Sequence, residues 1–157
     1  MRPCRFATLL AVSLLLSLPL FAAAAQAPPP ATYTGTEACA PCHEDQHANF
    51  VKYAKKAKSA AHIKVMAKKL PPDEVKECYA CHTTGYGKPG GFESFEKTPH
   101  LADAGCEVCH GPGSAHIDSG GDTKLIARPK LEDCATCHGS ERVANFNYKP
   151  LLHGGAH

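Results

Sequence analysis

Four times along the chain, two cysteines stand three positions apart with a histidine directly after the second. The sets are Cys39, Cys42 and His43; Cys78, Cys81 and His82; Cys106, Cys109 and His110; and Cys134, Cys137 and His138. On a helical turn, residues at i, i+3 and i+4 share one side. Two thiols placed so can add to the two vinyl groups of one haem, and the adjacent imidazole then rises beneath the iron as its proximal ligand. The pattern is the attachment motif of c-type haem. A disulfide framework gives no reason for a histidine after every pair, and a zinc site built from two pairs leaves that histidine equally unexplained. The expectation is four covalently bound haem c groups, with the eight cysteines as attachment residues and His43, His82, His110 and His138 as iron ligands.

A second axial ligand sets what each iron can do. Methionine raises the potential of a haem, but Met66 is the only methionine after Met1. Histidine is left as the main supply: His47, His62, His100, His116, His153 and His157 lie outside the motifs. Bis-histidine ligation, with low-spin and low-potential irons, is therefore expected. His116 follows His110 by a Gly-Pro-Gly turn, and six residues span at most ~20 Å when extended. It cannot easily round the porphyrin edge to the opposite face of its own motif's haem, so it is expected to reach a neighbouring one. His62, on an alanine-rich helix, is a second candidate. His47, one turn after His43, is read as a helix-surface residue. His100 is a further candidate, as are His153 and His157 in the tail, where Gly154 and Gly155 would allow close backbone approach.

The elements that must carry these residues are helices and loops. Phe50, Ala54, Ala57, Ala61 and Val65 recur at three- and four-residue steps and predict helix over 44–70. Pro71-Pro72 ends it, and Asp73-Glu74 open a new turn into the second motif. The segments 85–91 and 111–122 are rich in glycine and read as loops, and a short helix is expected over 131–138. No strand pair stands out. The fold class expected is mostly α with long loops: a small multihaem cytochrome c fold organised around four covalent haems, with little or no sheet.

Residues 1–25 have the anatomy of a secretory signal peptide: Arg2 and Arg5, an apolar run from Phe6 to Leu20, and small residues at Ala23 to Ala25. The run is short for a membrane span and is interrupted by Pro19. The expected division is a signal peptide over 1–25 and one tetrahaem domain over 26–157. The product is then exported to the periplasm or beyond the cell, with no transmembrane anchor after cleavage. Without Arg2 and Arg5 the Lys and Arg total falls to fifteen, equal to the Asp and Glu total. There is no tryptophan, and large apolar side chains are sparse, so side-chain burial alone would hardly stabilise so small a domain. The haems themselves are expected to supply the missing core, and the haem-free chain to be disordered.

Lysines 52, 55, 56, 58, 64, 68 and 69 crowd one stretch. They read first as a solvated helix face with some pairing to haem propionates. The sharper alternative is a docking patch, Lys52 to Lys69, for an acidic redox partner. Export and near-neutral charge speak against nucleic acid.

The stretches Cys81 to Phe92 (CHTTGYGKPGGF) and Gly105 to His116 (GCEVCHGPGSAH) resemble the tetrahaem cytochrome c-554 family, and the resemblance runs from about Tyr33 onward. It implies an exported electron-transfer protein whose haems stack in closely spaced pairs. It also implies that His116 serves the first haem, His62 the third, and a tail histidine the fourth, with His157 favoured over His153. The family pattern leaves the second haem without a protein ligand on its distal side. This sequence departs from it by carrying His100 just before the third motif, and His100 is expected to close that site.

Electron transfer between redox partners is the leading functional expectation, with no enzymatic activity of its own. The alternatives are reduction of a small nitrogen oxide at an open iron, and self-association as the subunit of an extracellular cytochrome filament.

Overall fold

The alanine- and lysine-rich stretch after the first motif folds as two helices instead of one. In the computed structural model, which describes residues 29–139 and Lys149, helix α1 covers Glu44–Tyr53 and helix α2 covers Ser59–Met66. Glu44 and Asp45 in the first turn of α1 and Lys52 in its last suit the helix dipole. The helix ends because Ala54 turns extended (φ −80°, ψ 113°) and is buried, and a 3₁₀ turn over Lys55–Lys58 follows. Two tertiary contacts then fix where α2 begins. The Ala60 N–H donates to Asp103 Oδ1 at 2.7 Å, a cap supplied from outside the helix. The Ser59 hydroxyl bonds the carbonyls of Lys56 (2.8 Å) and His82 (2.7 Å) and accepts from the Ala104 N–H at 2.9 Å. The uninterrupted helix predicted over 44–70 is thus corrected: partners distant in sequence reward a break that local periodicity cannot register.

Helix α3, Pro72–His82, starts as expected, with proline in the first turn and Asp73 and Glu74 behind it. It packs on α2 and carries the whole second motif. The remaining helices are single turns: α4 over Glu107–His110, α5 over Ser114–Asp118 and α6 over Leu131–Cys134. Helix α5 is a second departure, since 111–122 reads as loop and here lifts His116 onto a helical turn. Among the described residues there is no strand, and no helix is long and apolar enough to cross a membrane. The segment 1–25, read as a signal peptide, lies outside the described residues, as do His153 and His157.

A small apolar core forms beside the second motif. Phe92 (2% exposed) and Leu101 (1%) are its centre, with Ala60 and Ala102 beside them and Tyr33, Tyr79, Tyr86 and Phe95 packed around. The ring of Tyr79, inside the second motif, meets Tyr86, Phe92 and Phe95 edge-on at 5.3, 5.2 and 5.9 Å, a preferred aromatic geometry. The glycine loop over 85–91 is pinned at its base: Thr84 N donates to Leu101 O, and Phe92 N donates to Thr84 O, both at 2.9 Å. Gly85 has φ +73°, and at Gly91 a Cβ would collide with the Gly85 carbonyl. That close approach is why the loop needs glycine at both ends.

Candidate functional site

Each Cys-x-x-Cys-His set takes a helical turn. In the first, Cys39 O accepts from both Cys42 N (3.3 Å) and His43 N (2.9 Å). The third and fourth repeat this: Cys106 O takes Cys109 N (3.2 Å) and His110 N (3.1 Å), and Cys134 O takes Cys137 N (3.3 Å) and His138 N (2.9 Å). The second motif closes α3. Among the described residues, the eight motif cysteines are free thiols.

The turns are brought together across the chain. The Cys39 thiol is hydrogen-bonded to that of Cys106, so the first motif adjoins the third. Cys137 is hydrogen-bonded to Cys81 and feels Cys109, so the fourth adjoins the second and lies near the third. The contact with Cys39 lowers the Cys106 thiol to about 6, against the opposing effect of burial, while Cys39 is pushed well above its ordinary range by the same bond and by burial. Burial, followed by the neighbouring Cys81, raises Cys137 to about 11. These shifts belong to free thiols, the form in which the chain meets its cofactor.

His116 lies beside the first motif. Its ring centroid is 6.2 Å from that of His43, with the two planes inclined by 22°. The Nδ1 of His116 bonds the Asp122 carbonyl at 3.0 Å, and the Nδ1 of His110 bonds the Ala127 carbonyl at 3.1 Å. A backbone carbonyl on Nδ1 holds the proton there and leaves Nε2 as the basic nitrogen, the arrangement common to metal-binding histidines. An open groove of about 350 Å³ borders His110, with Pro112, Leu125, Ile126 and Ala127 among its walls.

The other candidates are placed as follows. His62 is exposed on α2, while Ser59, Ala60 and Ile63 form the buried side of that helix. His100 is exposed in a 3₁₀ turn over Pro99–Leu101. Its backbone carbonyl and ring lie against Gly35, where a Cβ would come within 2.8 Å of the His100 oxygen. His47 is a correction: its side chain is only 17% exposed, and Nε2 sits 3.4 Å from Glu37. Burial lowers His138, and the Lys56 charge adds to the effect. Within the lysine run, Lys52, Lys56 and Lys64 lie over the rings of Tyr53, Phe50 and Phe95, and Lys56 Nζ is 3.9 Å from Cys109 Sγ. Lys55, Lys58, Lys68 and Lys69 are exposed.

One residue escaped the sequence reading. Glu107, in the third motif, is buried at 3% exposure and gathers donors from Thr34, Gly35 and Gly113. A motif scan passes over it because the positions between the cysteines are free to vary.

The donor set fits haem. Beside the first Cys-x-x-Cys-His turn, the rings of His43 and His116 are stacked with centroids 6.2 Å apart, so two imidazoles would be at hand for one haem there. Among the described residues no three His, Cys, Asp or Glu side chains converge to hold a bare metal ion.

Helices and loops built around repeated Cys-x-x-Cys-His turns, with a second histidine facing one of them, define a c-type cytochrome. Residues 38–111, which hold the first three motifs, match the model of the family described as cytochrome c554 and c-prime. This segment is similar to the cytochrome c-554 family. Over 100 residues the chain is 34% identical to cytochrome c-554 of Nitrosomonas europaea, a match that covers 53% of this chain and 40% of that relative. No solved structure matches the chain significantly.

Proposed function

We propose that this chain is an exported tetrahaem electron carrier. The observation that carries the reading is the closeness of His43 and His116, whose ring centroids lie 6.2 Å apart beside the first Cys-x-x-Cys-His turn. Cys39 and Cys42, Cys78 and Cys81, Cys106 and Cys109, and Cys134 and Cys137 hold four haem c groups, which supply one-electron redox chemistry when bound. His43, His82, His110 and His138 would each ligate the iron of their own motif's haem. His116 would add a second ligand to the first haem, His62 to the third, His100 to the second, and His157 to the fourth.

The adjacency of Cys39 to Cys106 and of Cys81 to Cys137 supports two close pairs, first with third and second with fourth. Short steps between cofactors suit passage of electrons along the chain of sites, without substrate chemistry. His110 and His116 anchor Nδ1 on backbone carbonyls, which would leave Nε2 to an iron and fix the orientation of these two rings.

The exposed lysines between Lys52 and Lys69 are the proposed docking surface for an acidic redox partner. Lys56 ties this run to the third motif through Cys109, so a partner seated there would approach the third haem. The signal-like residues 1–25 support export to the periplasm, with 26–157 as the cofactor-bearing domain.

Electron paramagnetic resonance of the oxidised protein, combined with its intact mass, tests the reading. Four haems with low-spin irons throughout are expected. Fewer haems, or a high-spin majority, would overturn it.

A further inference from the structure

Glu107 stands between the two cysteines of the third motif, at a position haem attachment does not require, yet it is only 3% exposed. A buried carboxylate needs partners to offset its lost hydration. Here both oxygens are satisfied, and by two different segments. Thr34 N donates to Oε1 and Oε2 at 3.0 Å each, Thr34 Oγ1 to Oε1 at 3.2 Å, and Gly35 N to Oε2 at 2.7 Å. From the other side, Gly113 N donates to Oε1 at 2.7 Å.

The two segments lead to the two histidines of the facing pair. Gly35 directly precedes the 3₁₀ turn Thr36–Cys39 that opens the first motif and leads to His43. Gly113 directly precedes α5, which carries His116. The same segments are also laced to each other, with Thr32 N donating to Ser114 Oγ at 2.8 Å and Ser114 N donating to Thr32 O at 3.2 Å. A Cβ on Gly113 would press to 3.2 Å of Glu107 Oε1, and Gly35 sits at φ +86°, a conformation that favours glycine, with the His100 carbonyl against it.

We propose that Glu107 is a positioning residue for the first haem: its carboxylate holds the first motif and α5 in register, so that His43 and His116 face each other across one iron. The inference rests on the axial-pair reading of those two histidines. Ligand geometry must be held to within about 0.5 Å for a site to work, and outer-shell partners that orient ligands have effects as large as 10–100-fold on metal affinity. In Glu107→Gln one oxygen becomes an NH₂ donor, which would face a backbone N–H and repel it. In Glu107→Asp the charge stays, but the side chain is one methylene too short to serve both segments fully.

The test compares wild type, His116→Ala, Glu107→Gln and Glu107→Asp, each as the haem-loaded protein, by intact mass and electron paramagnetic resonance. His116→Ala should convert one iron from low to high spin. Glu107→Gln should keep four haems by mass and move a substantial part of that same iron to high spin, with Glu107→Asp intermediate. A wild-type spectrum in Glu107→Gln, alongside a changed one in His116→Ala, would overturn the role of Glu107 alone. Equal disturbance of all four irons would overturn it too, since that marks general loss of structure. An unchanged spectrum in His116→Ala would remove the axial pair itself. Should Glu107→Gln fail to mature, hydrogen exchange on wild type decides. The Gly35 and Gly113 amides are expected among the slowest in the protein, and exchange at loop rates would overturn the proposal.

Discussion

The imidazole of His116 lies 6.2 Å from that of His43, with ring planes inclined by 22°. The pairing makes His116 the sharpest single target. His116→Ala should leave four haems in place, because the thioether bonds and proximal ligand remain, while one iron becomes high-spin and its potential rises. A spectroelectrochemical titration would report both changes, and a titration identical to wild type would reduce His116 to a loop residue.

Haem content is the broadest prediction. Four Cys-x-x-Cys-His turns, three with the same bifurcated bonds to the first cysteine's carbonyl, should each carry one cofactor. Intact mass should equal the polypeptide cleaved near residue 25 plus four haems. A different integer would contradict the assignment of the motifs directly.

The second haem turns on His100, which is exposed beside Gly35. Leu101, its neighbour, accepts from Thr84 N at 2.9 Å, two residues past His82. Closure by His100 means that carbon monoxide binds the reduced wild type poorly and His100→Ala at about one equivalent. Equal uptake by the two proteins would mean an open second haem, and would favour chemistry on a small ligand over electron transfer alone.

Phe92 is the most instructive core position, since at 2% exposure it joins the glycine loop to the ring of Tyr79 inside the second motif. Phe92→Ala should cost about 3–5 kcal/mol in denaturant unfolding of the haem-loaded protein. A loss below about 1 kcal/mol would mean that haem contacts, and not this cluster, dominate stability there.

Docking is tested by charge. Lys55→Glu with Lys58→Glu should slow association with an acidic redox partner about tenfold or more at low salt, converging with wild type as ionic strength rises. Rates indifferent to salt would remove the lysine surface from consideration.

The four Cys-x-x-Cys-His turns were legible in the amino-acid sequence because they are local. Cysteines at i and i+3 and a histidine at i+4 meet on one turn whatever surrounds them, so the eight cysteines and four following histidines announce themselves. The helical class and the start of α3 at Pro71-Pro72 are legible for the same reason. What tertiary structure decided is whatever depends on a distant partner. The break at Ala54 exists because Asp103 and the His82 carbonyl reward a new helix start at Ser59 and Ala60. His47 turns inward toward Glu37, although its spacing from His43 suggests a surface residue. The five hydrogen bonds that make Glu107 a hub join segments far apart in the chain. Periodicity and motif spacing describe one turn at a time, whereas these contacts arise only when separate turns are packed against each other.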